Sequence, residues 1–377
     1  LLILITIVFI PSIFDPFNTS KLIILFLGTA YLTRYIDYSF DWKFRKNIFS
    51  LTKFLVIFFI IFSAASTFYS DNFWMSFLGE TLRKNGLLSL ILLLIFSLAI
   101  FQNISMLSSK KILYALGISG FFNTCYGFLQ TFGSDPVKWN NPYNSIIGTF
   151  GNPNFASAFF SIASVCLTGM LFLKNAPLVR VLILVNVILN LFLIYRSNSR
   201  QGLIAYLFGL LVLVWGLIKL KSRKISTLWI VFSIFITVLS ILGMLQKGPF
   251  QNLLYKESVS TRGYYWRASL RMFFDHPIFG VGIDRYGAFF KEYRDSEYSL
   301  IYGTLIKSNN AHNVFLQYFS TGGVFVGLSY FFICAVIIYL GIQLVLSNSG
   351  TERLISLVFL ASFSSYLAQS FISIDNL

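Results

Sequence analysis

The chain has 377 residues, 56% hydrophobic and only 11% charged, with a formal charge of +15 and a mean hydropathy of +0.74. Soluble domains carry about 25% charged residues, so an ordinary soluble enzyme is excluded. Nucleic acid, the usual partner of so basic a soluble chain, is excluded with it, and the charge is assigned to basic cytoplasmic loops or to an anionic lipid-linked ligand.

Apolar runs fall at about 1–10, 21–36, 52–68, 86–101, 112–131, 154–173, 178–195, 201–218, 226–245, 313–346 and 353–373. A bilayer crossing needs about 20 mostly apolar residues. In lipid the backbone must bond to itself, so such runs form helices. The expectation is an all-α polytopic transmembrane helical bundle forming a single domain over 1–377, with eleven visible spans. Residues 1–10 read as the end of a first span, because they show neither a basic n-region nor a cleavage site. The chain is expected to continue at both ends, with a twelfth span after the last. Cys125, Cys166 and Cys334 lie scattered in apolar runs, without metal or disulfide spacing, and read as packing residues.

Orientation follows from Lys and Arg in short loops. With Lys43, Arg45 and Lys46 inside, alternation also places 108–111, Lys174, 219–224 and Arg353 inside. Lys21, Arg83, Lys84, Lys138, Arg196 and Arg200 then face out, as does the large extracytoplasmic loop 246–312.

That loop carries "STRGYYWRASLRMFFDHPIFGVG" (260–282). Ser260 and Thr261 are helix-start candidates; Pro277, Gly280 and Gly282 end the helix. At helical spacing Arg262, Trp266, Ser269, Leu270 and Phe273 share one face, toward the bundle or the bilayer surface. Arg267 and Arg271 fall nearly opposite, and with Arg294 they are expected to reach lipid phosphates. His276 reads as a helix-end residue, and a second short helix is expected over 283–294.

Ionisable groups inside a bilayer are costly and usually functional. The spans hold no deep carboxylate, which argues against a proton-coupled carrier. Polar groups gather at the outer mouth instead: "ETLRKNG" (80–86) with Arg83, "GTFGNPNFAS" (148–157) with Asn154, "SNSR" (197–200) with Arg200, then Arg262 and His312. Arginine's planar fork matches phosphate oxygens and desolvates more cheaply than lysine, so such a cluster suits a pyrophosphate. A neutral His312 can take a proton from an attacking hydroxyl or amine. Each residue also has a plain alternative: interfacial capping for His312, snorkelling for the arginines, a turn with a helix start for "GNPN". No Gly-rich phosphate loop, Cys/His metal set or carboxylate pair is visible.

"TRGYYWRASLRMFFDHPIFGVGIDRYGAFF" followed by "NNAHNVFLQYFSTGGVFVGL" resembles the O-antigen ligase and polymerase family. "GETLRKNGLL", "TFGNPNFASAF", "SNSRQGLIAYLFG" and "AQSFISIDNL" resemble further family segments in the right order. The resemblance implies a multi-pass protein of the bacterial inner (cytoplasmic) membrane, with its active site on the periplasmic face and no cofactor or metal. It implies transfer of a glycan from undecaprenyl pyrophosphate to an extracytoplasmic acceptor: a lipid A–core sugar for a ligase, a repeat unit for a polymerase, a protein for related transferases. It implies a metal-independent, inverting reaction, with Arg200 and Arg262 on the pyrophosphate and His312 activating the acceptor. Arg83 is expected as a further phosphate contact and Asn313 as an orienting group, with Trp266 and Asn154 as accessory residues. A flippase of lipid-linked sugars and a structural assembly protein are the readings from other classes.

Overall fold

The computed structural model describes residues 1–36, 48–103, 109–219, 221–255 and 257–375. The expected basic loop Lys43, Arg45 and Lys46 lies outside the described residues, as do Ser108, Leu220, Lys256, Asn376 and Leu377. The described residues fold as helices joined by turns. In chain order they are α1 (Leu2–Ile7), α2 (Asn18–Leu32), α3 (Ile48–Phe68), α4 (Phe73–Leu78), α5 (Leu87–Gln102), α6 (Ser109–Thr131), α7 (Pro153–Met170) and α8 (Pro177–Arg196). They continue with α9 (Arg200–Lys219), α10 (Arg223–Met244), α11 (Gln251–Leu254), α12 (Glu257–Asp275), α13 (Tyr286–Tyr293), α14 (Ser296–Tyr302), α15 (Val314–Ser347) and α16 (Gly350–Ser370).

Among the described residues seven helices are long and apolar enough to cross a membrane: α3 from Ser50, α6, α7, α8, α9, α10 and α15. The other four expected spans differ for visible reasons. The first run forms only the six-residue α1, because "PSIFDP" breaks it. α2 and α5 stop at 15 and 16 residues. α16 has 21 residues but carries a buried polar stripe that includes Ser362, Ser365 and Gln369.

α7 is the hub, with α6, α8, α9 and α16 packed around it. Water-free packing draws little from hydrophobicity, so small residues and polar pairs hold such helices together. Between α6 and α8, Thr124 Oγ1 lies 2.6 Å from Asn190 Oδ1 and 3.1 Å from Asn186 Oδ1. Between α7 and α9, a Cβ on Gly202 would stand 2.7 Å from that of Ser157, so glycine is what lets the two helices meet near the mouth.

α15 is broken at Gly323 (φ 74°, ψ −172°). The "HPIFGVG" turn docks on the break: Val281 and Gly282 donate to Ser320 O and Thr321 O, and Val324 donates to Pro277 O. The turn thus satisfies backbone groups that the interrupted helix frees. It fixes the loop helices α12 to α14 over one end of the bundle.

α12 begins at Glu257, three residues before the expected start, since Thr261 Oγ1 bonds back to Glu257 O as a residue inside the helix. Its buried stripe runs through Arg262, Ala268, Ser269 and Met272, while Leu270 is 42% exposed, contrary to expectation. The stripe is set by an aromatic cluster that α12 shares with Tyr286, Phe290 and Tyr298. Arg267 and Arg271 point outward but pair with Asp295, at 2.7 and 2.5 Å, and Arg294 donates to Ile306 O and Thr304 O. These three arginines brace the loop through protein partners. His276 follows α12 directly and donates its N–H to Met272 O, as a helix-end residue does. Cys166 and Cys334 are buried, whereas Cys125 lies on the outside of the bundle.

Candidate active site

The loops expected at the outer mouth meet at one end of the bundle. Asn18 Nδ2 donates to Leu82 O, Arg83 to Asn309 Oδ1 at 3.0 Å, Asn85 Nδ2 to Asp375 O, and Ser199 Oγ to Asn154 Oδ1 at 2.8 Å. Residues 45 to 290 positions apart in sequence are therefore neighbours.

His312 sits in the "NNAHN" turn with φ +50°, a left-handed conformation that is unusual without glycine. The turn is pinned on both sides. His312 N–H donates to Asn310 Oδ1 (3.0 Å) and Ala311 N–H to Gln317 Oε1 (2.8 Å). Asn313 caps α15 by accepting from Leu316 N–H, and its amide donates to Phe371 O (3.1 Å). Asn313 thus fixes the turn that carries the imidazole. The ring stacks on Tyr265, with centroids 5.4 Å apart and planes at 25°. Its Nδ1 is buried and has no hydrogen-bond partner among the described residues. Burial, then the positive fields of Arg262 and Arg83, push its pKa down to about 3, so the ring is neutral at pH 7.

Arg200 opens α9, and Arg262 projects from the buried stripe of α12. Together with Asn154, Ser199, Gln201 and Tyr143 they line a cavity of about 270 Å³. Asn152 caps α7 and Pro153 starts it, so "GNPN" is a helix start that also delivers Asn154 to this cavity. Arg262 is 8% exposed, and burial lowers its pKa to about 10. Arg200 Nε is buried without a partner among the described residues, and so are Arg83 Nε and Trp266 Nε1. Buried polar atoms are nearly always paired, so each of these asks for an explanation. A second, more apolar cavity of about 320 Å³ runs between α8 and α9. Its wall includes Ile194, Leu203, Tyr206 and Leu207, and it shares Asn198, Ser199 and Arg200 with the first.

Sequence reading missed an acidic counterpart. Asp284, 8% exposed, accepts the N–H groups of Glu80 (2.8 Å) and Asn85 (3.2 Å) through one oxygen. Burial raises its pKa to about 7. It holds the 80–85 turn that presents Arg83, and with Asp375, Arg83 and Gln317 it borders a small cavity. An acid two residues after a Gly-x-Gly turn was the available signal. Tyr265 was also missed, although it lies three residues after Arg262 and so on its side of the helix.

Residues 184–332 match the family model described as Wzy_C, O-antigen ligase. The match spans Arg200, Arg262, Trp266, His312 and Asn313, while Arg83 and Asn154 lie before it. No curated protein matches the chain. The matched segment supplies α9, α12, the docked glycine turn and the histidine turn that meet at this mouth; over residues 184–332 the chain is similar to the O-antigen ligase family, which is associated with glycosyltransferase-type activity.

Proposed function

We propose that the protein transfers a glycan from undecaprenyl pyrophosphate to an acceptor at the extracytoplasmic face of the bacterial cytoplasmic membrane. The observation that carries this reading is the convergence of unpaired buried donors from Arg83 and Arg200, the buried Arg262 and a neutral His312 at one mouth. Arg200 and Arg262 hold the pyrophosphate, with Arg83 as a further contact. The acceptor hydroxyl attacks the anomeric carbon while His312 takes its proton. The carbon–oxygen bond to phosphate breaks, and the lipid pyrophosphate leaves with the electron pair, inverting the configuration. Fixed guanidinium groups stabilise charge as it develops on the leaving group, which makes the reaction metal-independent. The apolar cavity that shares Arg200 with the head site suits a lipid chain attached to a phosphate. The acceptor reading is ligase-like, a lipid A–core sugar.

The test is reconstitution with an undecaprenyl-pyrophosphate glycan and a panel of acceptors, with transfer followed by mass. His312→Ala should lower kcat by about a hundredfold or more, and Arg200→Ala and Arg262→Ala should each lose about a hundredfold. Transfer at the wild-type rate by folded His312→Ala would remove the general-base assignment. Extension of the donor glycan itself would make the protein a polymerase. Movement of the lipid across the bilayer without transfer would replace the enzyme by a flippase.

A further inference from the structure

The segment between α6 and α7 builds a second polar cavity beside the arginine site. It holds about 350 Å³ and is lined by Gln130, Asp135, Trp139, Asn144, Ser145 and Arg196, among others. Ser145 lines both cavities, and its hydroxyl donates to Ser197 O (2.8 Å) in the "SNSR" turn. The floor is rigid. Asp135 accepts from Gln130 Nε2 (2.9 Å), Val137 N–H (2.9 Å) and the Tyr126 hydroxyl (3.1 Å). Trp139 Nε1 donates to that same hydroxyl (2.9 Å), and its ring is backed by Phe17 at 4.8 Å and Phe9 at 5.7 Å. Gln130 Oε1 accepts from Ile147 and Gly148 N–H (3.1 and 2.9 Å). The rim is different: the side chains of Arg196, at the end of α8, and Asn144 make no hydrogen bond among the described residues. Asn144 is held at φ +46°.

We propose that this cavity is a sugar subsite, which takes one unit of a substrate glycan with Arg196 on an acidic substituent of that unit. A pyranose offers an apolar C–H face and a ring of hydroxyls that both donate and accept. An aromatic plate set among amides, a hydroxyl and a carboxylate matches both aspects. The volume lies near the lower end of ligand pockets, about 300–1,000 Å³, room for a sugar unit and not for a long glycan. The carboxylate of Asp135 disfavours a bare phosphate, and the polar lining disfavours a lipid chain. Arg196 is the charged group on the wall left without a partner among the described residues, and its fork fits a carboxylate. The shared Ser145 sets the unit next to the pyrophosphate site. Its role in transfer rests on the function proposed above, but binding can be measured without transfer.

The experiment is ligand-observed saturation-transfer NMR on the full chain in lipid nanodiscs, with methyl glucuronide and methyl glucoside as probes. Both should give saturable contacts, the glucuronide more tightly. Arg196→Gln should weaken the glucuronide about tenfold, the size of one lost charge-assisted contact, and leave the glucoside unchanged. Arg196→Lys should restore part of the loss, Asn144→Ala should weaken both probes, and Lys247→Gln should alter neither. Absence of saturable contact from both probes overturns the proposal. So does an unchanged glucuronide signal in folded Arg196→Gln. Because no transfer is read, either result leaves the transferase reading standing on its own test.

Discussion

At the scale of the residue, the proposed chemistry turns on how a neutral His312 would become a competent base. Its ring nitrogen is buried, two guanidinium groups lie within electrostatic reach, and its pKa falls to about 3. A base that weak takes a hydroxyl proton poorly, since catalytic groups work best with a pKa near the working pH. Yet Arg262, which depresses it, is also a group proposed to hold the pyrophosphate. An anion there would cancel its field, and the imidazole pKa should rise. The sign follows directly. In the free protein His312 binds a proton only below about pH 3; in the donor complex it does so at higher pH. The acid limb of kcat should therefore lie at higher pH than that of kcat/KM. The check is carbon-13 NMR of the imidazole in a His276→Gln background, with and without a prenyl pyrophosphate. The same titration midpoint in both would sink the idea. The site is also strained: Lys84, Asn144, Asn198 and Asp284 share the left-handed backbone of His312. Residues held there cluster where geometry is over-determined for function.

At the scale of the element, the break in α15 does the positioning. Gly323 adopts a combination of φ and ψ that belongs essentially to glycine. A Cβ there would lie 2.1 Å from Ile278 O, and one on Gly280 would lie 2.3 Å from the Thr321 carbonyl carbon. Loop and helix are thus joined backbone to backbone, with no side chain between. Gly323→Ala should cost about 2 kcal/mol or more. It should also loosen the loop before it unfolds the bundle. Limited proteolysis reads this as faster cleavage within 276–313 with the spanning helices intact; a cleavage rate equal to wild type would show that the joint does not hold the loop. Much of this element was legible: the Arg262 face, the helix-ending "HPIFGVG" and the "AHN" turn are local signals. The docking of one glycine turn on another, 40 residues away, was not, because spacing shows where a helix stops and not what fills the stop. Leu270 was misplaced for a related reason. Helical periodicity offers a range of faces, and the partner, here Tyr286, Phe290 and Tyr298, selects among them. Asp284 escaped notice because a carboxylate in a polar loop looks solvated until its two backbone donors are seen.

At the scale of the whole molecule, the arrangement separates a polar mouth from an apolar wall. Loops far apart in sequence close over one end, and the head cavity shares Asn198, Ser199 and Arg200 with a groove between α8 and α9. The two helices touch only sparsely, and the groove is lined by residues of these two helices and of the turn that joins them. An amphiphile with a charged head would place the head between Arg200 and Arg262 and its chain along Leu203 and Leu207. Leu203 is half-buried at the groove's upper wall, where added bulk displaces the chain while sparing the arginines. Leu203→Trp should therefore raise KM for a long-chain prenyl-pyrophosphate glycan by about tenfold, the loss of roughly two buried methylenes. The kcat at saturation should hold, because the reacting groups are untouched. A farnesyl-pyrophosphate donor, too short to use the lower groove, should show a smaller change. Equal effects on both donors would mean that the chain lies elsewhere and that the gap between α8 and α9 serves packing alone. An effect on kcat with KM unchanged would mean instead that the substitution has shifted Arg200.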